Sequence, residues 1–572
     1  MKKKRILLSV LFTLCFAVFG FSARAEEAET FYSHSLQSAW TDTKYFEFDA
    51  ATGMITKYSL DGPKDVVIPE EIGGVLVRHI GRQAFSKLDI QSVKFPEGLE
   101  SIEPWAFYSN KLNQVEFPER FTVIKEGSFA NNKLERVKFP DGLTTIENEA
   151  FSFNMLEHMQ LPEGLTAIGE KAFSSNTLRE VVLPESLTAI GSRAFASNQL
   201  TQVHFPKGLT IIEEGVFNRN RLENLQLPKN LTTIGDSAFS NNGLTHMEFP
   251  ESLTAIGGSA FQGNLLTEVK LSENMTTIGS WVFANNRLTE VKLPERLTAI
   301  GDRAFANNQL TQIKLPRGLT DIGEEAFSNN RLTRMEFPRS LTTIGDSAFS
   351  SNKLTELEFS KGLTTIGALA FRYNQLTSVR LPEGLTTIEN LAFYGNKLTH
   401  VEFPNSLTTI GIAAFQENQL TQVNFPDRLT SIGSRAFRDN RLKQVQVPKG
   451  CKVDSISFDR GVKVIRRGSK QISKGELFGE KVISDPKYSW TVTFDRALDS
   501  SAVNAENFFI QDAEGNILKD IEPTLLEETK VRFVNNAAFE KNRDYYLVVR
   551  KDIQGKDNTK LKKDIFFKFL VQ

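Results

Sequence analysis

The chain has 572 residues, of which 40% are hydrophobic and 24% charged, an ordinary composition for a soluble globular protein. Its 68 basic and 69 acidic residues nearly cancel, but residues 1–25 hold five of the basic ones and no acid, so the remainder carries a net charge of −6. A mildly acidic chain with no basic block is a poor partner for nucleic acid or an anionic membrane.

The chain opens with Lys2, Lys3, Lys4 and Arg5, followed by an apolar run from Ile6 to Phe21 and then Ala23-Arg24-Ala25. This order predicts a secretory signal peptide cleaved after Ala25. The apolar run is too short for a membrane anchor, and no stop-transfer segment follows it. Cys15 follows Leu14, where a lipoprotein signal wants a small residue. Loss of the leader leaves Cys451 as the one cysteine. The exported chain is thus expected to hold together without an internal disulfide.

Residues 26–79 form an N-terminal segment that alternates apolar and polar residues without a longer period. Phe46-Glu47-Phe48 and Met54 to Tyr58 flank a turn around 51–53, which predicts a hairpin covering the first repeat.

From 80 to 448 one sentence recurs. Phenylalanine falls on a strict 22-residue period at 17 positions, from Phe85 to Phe437. Isoleucine stands five residues before each. Asparagine stands three after it in 16 of 17 copies, Leu88 being the exception. Proline stands eleven after it in 15, with Ser272 and Ser360 as exceptions. The unit reads L-T-x-I-G-x-x-A-F-x-x-N-x-L-T-x-V-x-F-P-x-x. In L-T-x-V-x-F the last apolar residues alternate with polar ones, which predicts a half-buried strand, ended by a proline that cannot continue a ladder. L-T-x-I predicts a second extended piece. Gly at the turn is replaced by Glu103, Lys125, Glu147, Glu213 or Glu389, so that position does not strictly demand positive φ.

One such unit cannot bury its own apolar side, whereas stacked copies can. The expected product is a mostly β solenoid with turns about 4.8 Å apart, a spine of Phe rings, and a ladder of Asn amides serving backbone groups. These recurring residues mark architecture rather than a site. The unit, with its T-x-I-G and x-x-A-F pieces, resembles the BspA-type bacterial leucine-rich repeat. The resemblance implies a right-handed solenoid of 17 repeats with a parallel sheet on its concave side, and a membership that includes adhesins. The commoner form of that repeat often has Cys where this chain has Asn.

Residues 449–468 predict a C-terminal cap and linker. Cys451 falls at the usual Leu position and Asp454 at the usual Ile position, so the register breaks there. Cys451 is expected to be a buried small hydrophobe, with a reactive thiol as the alternative. Residues 469–572 change character. Short apolar runs at 490–494, 508–510, 531–533, 545–549 and 566–571 predict a small β-sandwich, similar to the Ig-like domains of bacterial surface-layer proteins. From the closing Phe569-Leu570-Val571-Gln572, a covalent wall-sorting tail is not expected.

No catalytic, cofactor-binding or metal site is expected. His158, His246 and His400 share one repeat position but lie several repeats apart, the nearest pair by roughly 19 Å, too far to share an ion. No H-E-x-x-H, G-x-S-x-G, phosphate loop or dinucleotide fingerprint occurs. What varies between repeats is the pair of polar positions seven and nine residues after each Phe. Lys270, Lys292 and Lys314 come in consecutive turns at the ninth, with Glu268 and Glu290 at the seventh. Stacked lysines repel unless neighbours relieve them, and these two glutamates are expected to do so. Two readings stay open for Glu268, Lys270, Glu290, Lys292 and Lys314: a self-neutralised, solvated face, or a strip that recognises a protein partner. The corresponding functions are an exported binding protein, secreted or non-covalently held at the cell surface, that presents its concave repeat surface to a protein partner in adhesion or host contact, and a structural cell-envelope component with the solenoid as spacer.

Overall fold

The computed structural model describes residues 40–467, 476–483, 489–518, 521–535, 539–540, 543–561 and 563–571. The predicted leader lies outside them.

The array folds as stacked coils, one per 22-residue unit. Two lanes of parallel strands run along it. The first uses the T-x-I segment, with pairs such as Thr277–Ile278 on Ala299–Ile300, and its longest uninterrupted stretch is five strands. The second uses L-T-x-V-x-F, with Thr-flanked triplets such as His246–Glu248 on Glu268–Lys270. Partners in both are 22 residues apart, so the sequence period becomes the strand register. The second lane is less continuous than the first. Its triplets join in twos, and no strand forms at 310–315.

The Phe rings stack into one column. Successive centroids from Phe85 to Phe437 lie between 4.8 and 6.0 Å apart, with planes within 19° of parallel. Every one of these rings is buried. A second row, including Phe117 and Phe205, meets the column edge-on at 5.3 and 5.6 Å, a favourable offset for ring quadrupoles. Tyr58 closes the column at one end, 4.9 Å from Phe85, and Phe458 at the other, 5.5 Å from Phe437.

The Asn residues sit between coils. Asn308 is representative. The backbone N–H of Leu288 donates to its Oδ1 at 3.0 Å, and its Nδ2 donates to the carbonyls of Phe283 at 2.8 Å, Phe305 at 3.2 Å and Ala306 at 3.3 Å. One buried amide thus joins its own coil to the preceding one and satisfies groups that no strand pairing reaches. Between the lanes the A-F turn has its own ladder: Phe305 N–H donates to the carbonyl of Ala326 at 2.8 Å.

That turn is made by left-handed residues two before and two after each Phe. Arg303 and Asn307 have φ of 54° and 56°, and the same pair of positions is left-handed in every coil. The Gly of the motif lies elsewhere and answers to space: a Cβ on Gly301 would stand 2.7 Å from the backbone N of Ser280.

At the N-terminal end, Phe46–Asp49 pairs antiparallel with Met54–Tyr58, and Met54–Ile55 pairs in parallel with His79–Ile80. The hairpin's second strand is therefore the first rung of the T-x-I lane. At the C-terminal end the structure corrects the register read from the sequence. Lys452–Val453 pairs with Ser431–Ile432, so Val453, not Asp454, fills the Ile column. The coil drops one residue, which keeps a carboxylate out of the core. The same offset brings Phe458, 21 residues after Phe437, onto the spine.

Beyond 475 a four-stranded sheet joins Glu476–Ile483, Ile565–Val571, Arg543–Val549 and Phe508–Asp512 in that order. A three-stranded sheet joins Trp490–Thr493, Lys530–Asn535 and Ile521–Glu527. Trp490, Phe508, Phe533, Leu547 and Phe569 share one core between them. The sequence located five of these strands and missed Glu476–Ile483 and Ile521–Glu527.

Two substitutions in one coil separate packing from hydrogen bonding. Phe305→Ala is expected to cost roughly 3–5 kcal/mol through lost burial and a cavity. Asn308→Ala is expected to cost roughly 2–4 kcal/mol by orphaning the Leu288 N–H and the Phe283 carbonyl. Chemical denaturation followed by circular dichroism should show a broader transition for both, since coils couple only to neighbours. Unchanged unfolding for either variant removes that interaction from the account.

Candidate functional site

The five residues of the predicted strip are all exposed, and Val269 and Val291 between them point inward and are buried. Glu268 and Lys270 lie on the strand Glu268–Lys270. Lys270 and Lys292 bridge in parallel across adjacent coils. Lys314 stands one coil further, where the strand lane lapses. The strip is therefore contiguous for three coils.

Its charge balance differs from the sequence expectation. Lys270 pairs with Glu248 of the preceding coil at 2.5 Å, and Lys292 with Glu273 at 2.6 Å. Glu268 and Glu290, the residues expected to relieve them, make no ion pair among the described residues. The reason is geometric. Positions seven and nine of one strand flank an inward-pointing residue, whereas the ninth positions of adjacent parallel strands, Lys270 and Glu248, face each other across about 4.8 Å; Lys292 instead reaches Glu273, just past the strand of the preceding coil. Hydrogen bonding to Glu248 raises the pKa of Lys270, and Glu273 does the same for Lys292. Exposed pairs of this kind contribute little stability and are screened by salt. Lys314 makes no ion pair among the described residues. The strip thus presents one unpaired ammonium and two unpaired carboxylates beside two neutralised lysines.

Further along the same face, Arg334 reaches Glu336, Glu356 and Glu358 at 3.1, 3.8 and 2.6 Å, and Arg380 reaches Glu402 at 3.2 Å. Charges there close on themselves.

The histidines stay on separate coils. His246 sits between Thr245 and Thr267, and His400 lies 3.6 Å from Glu402. Among the described residues no three His, Cys, Asp or Glu side chains are placed to hold a metal ion. Cys451 is 1% exposed and unbonded to another sulfur. Burial pushes its thiol pKa up, against a weaker opposing pull from Arg466. Among the described residues no helix is long and apolar enough to cross a membrane.

A coil with two parallel strand lanes, a Phe spine and an Asn ladder defines a leucine-rich-repeat solenoid. The chain belongs to the family described as BspA type Leucine rich repeat region, which matches residues 78–199, 188–309, 282–398 and 342–461. Among solved structures, it is similar to a leucine-rich repeat protein from Bacteroides ovatus at 22% identity, over 76% of this chain and 100% of that one, with a TM-score of 0.40. A leucine rich cell surface protein from Faecalibacterium prausnitzii is similar at 20% identity, over 77% and 97%, with a TM-score of 0.32. The pneumococcal vaccine antigen PcpA is similar at 17% identity, over 72% and 91%, with a TM-score of 0.29. No curated protein matches.

The thiol gives a direct check on the C-terminal cap. Cys451 in the native chain should react with an aromatic disulfide reagent at least about 100-fold more slowly than in denaturant at pH 8, because burial disfavours the thiolate. Equal rates would place the sulfur at the surface and undo the cap packing.

Proposed function

We propose that this chain is an exported binding protein, held at the cell surface or released, that presents the L-T-x-V-x-F face of its solenoid to a protein partner in adhesion or host contact. One observation supports this most. The two outward positions of that face differ between most neighbouring coils, with Glu268/Lys270 and Glu290/Lys292 the one pair repeated between neighbours, on a backbone fixed by the same buried Phe contact in every coil and the same Asn contact in 16 of 17. Glu268, Glu290 and Lys314 bring unpaired charge to its centre, with Lys270 and Lys292 between them. Charges of this kind steer association more than they add affinity. The order of basic residues, apolar run and A-x-A at the start of the sequence supports export. The reading gives the chain no catalytic role and no cofactor.

The neutralisation of Lys270 and Lys292 favours a second reading, a structural envelope component. In it the solenoid is a spacer and the C-terminal β domain, resembling Ig-like surface-layer modules, joins neighbours.

The test uses the secreted full chain and a charge-reversed variant, Lys270→Glu, Lys292→Glu and Lys314→Glu together. None of the three lies in the core, so thermal unfolding should not change. Binding to purified host matrix and cell-surface proteins should fall by about tenfold at low salt and converge with wild type at high salt. Equal binding at low salt removes the strip from the function. Intact surface assembly combined with no partner binding by either protein favours the spacer. Fractionation into medium, wall and membrane reports where the chain goes.

A further inference from the structure

The residue one beyond each spine Phe is Ser or Ala in ten of the 17 coils. The coils of Phe371, Phe393 and Phe415 depart from this. They carry Arg372, Tyr394 and Gln416 there, with Tyr373 one residue later in the first coil. The left-handed position two before Phe, often Ser, Arg or Glu in other coils, becomes Leu369, Leu391 and Ala413, and Ile412 stands beside it. Leu369 and Leu391 take φ of 58° and 59°, a conformation unfavourable for a large apolar side chain. Tyr373 and Ile412 are 45% and 51% exposed. Leu369, Leu391 and Tyr394 are half-buried, so three adjacent coils carry a continuous tyrosine and aliphatic edge, exposed at Tyr373 and Ile412, where most of the array shows small or charged side chains.

The cluster is organised. The Tyr373 and Tyr394 rings meet edge to face at 5.3 Å. The Arg372 guanidinium lies 4.3 Å from the centroid of Tyr373 and 5.4 Å from that of Tyr394. Gly395 makes room for this: a Cβ there would stand 2.5 Å from Tyr373 Cδ1. Backbone bonds fix the edge, with Tyr373 N–H donating to the Tyr394 carbonyl and Leu391 N–H to the Ile412 carbonyl. Arg372 has no ion pair among the described residues, and its buried Nε has no hydrogen-bond partner. The nearby carboxylate of Glu417 accepts from the Tyr394 hydroxyl instead.

A guanidinium held against aromatic rings keeps the in-plane donors of its two terminal nitrogens for a carboxylate, the buried Nε aside, and a charge-assisted pair is the strong form of that bond. Tyrosine and arginine are the residues enriched in protein-binding hot spots, and Ile412 adds an exposed apolar contact beside them. We propose that the edge formed by Leu369, Arg372, Tyr373, Leu391, Tyr394 and Ile412 is a docking site for a protein segment that presents a carboxylate between apolar side chains. The proposal shares with the preceding reading a protein partner, but it uses a different part of the coil from the Lys314 strip.

The test is a peptide array. Hexapeptides of Leu, Ile and Val carry one central Asp or Glu, and each has a twin with Asn or Gln. The probe is the full secreted chain. Wild type should retain acidic peptides about tenfold better than their amide twins. Arg372→Gln should abolish that preference, and Arg372→Lys should restore only part of it, since an ammonium lacks the planar fork. Ile412→Ser, at an exposed position, should weaken both twins alike and serves as the variant that leaves the Arg372 stack in place. Lys314→Glu should change neither, so failure of the strip leaves this result readable. Equal retention of acid and amide twins, an acid preference that survives Arg372→Gln in a folded variant, retention of no peptide at all, or retention of polygalacturonate alone would each overturn the proposal.

Discussion

A carboxamide wedged between neighbouring coils is the contact on which the remaining architecture depends. Each Asn accepts from a backbone N–H of the preceding coil and donates to carbonyls of both. Strand pairing covers only two short stretches of a 22-residue loop, and the bends between them would otherwise bury unpaired polar groups. Asn is short enough to stay inside and carries both donor and acceptor on one planar group. With it in place the Phe ring of each coil is held at a fixed height, and ring upon ring builds a core that no single coil has. Packing and hydrogen bonding are thus coupled at one point per repeat.

How much of this could be read beforehand follows from what the period encodes. Ile80 to Ile432, Phe85 to Phe437 and Asn110 to Asn440 recur because they face inward, and inward-facing residues are the ones a solenoid repeats. The Phe spine, Asn ladder and two extended lanes were therefore legible. The turn conformation was not, because no residue recurs at the left-handed positions. Their signal is an exclusion: no Val, Ile or Thr stands two before or two after any spine Phe, as branching at Cβ makes that backbone costly. The one-residue contraction at Val453 was hidden too, since counting by 22 cannot see a coil that closes in 21. The ion pairs of Lys270 and Lys292 were misassigned along the strand because sequence neighbours are easier to see than neighbours in the next coil.

Side chains that build the coil and side chains that decorate it occupy separate columns. The decorating columns hold Lys314 and its companions on one part of the coil and the Tyr373–Tyr394 cluster on another. Neither set contributes to closing the coil, so both can change without altering the scaffold. Rigid presentation of variable side chains is what a binding surface requires, because little freedom is lost when a partner arrives.

The identity of 231–240 and 341–350, both LTTIGDSAFS, has a consequence for how such a chain can change. The two stretches are five coils apart. Recombination between the corresponding stretches of gene would remove or add five whole coils and leave every new junction with a standard neighbour on either side. Strand register, ring column and amide ladder would resume across the join. Folding here specifies the coil and its two ends but sets no number of coils between them. Length, and with it the spacing between any two decorated patches, is open to inheritance in steps of about 4.8 Å per coil.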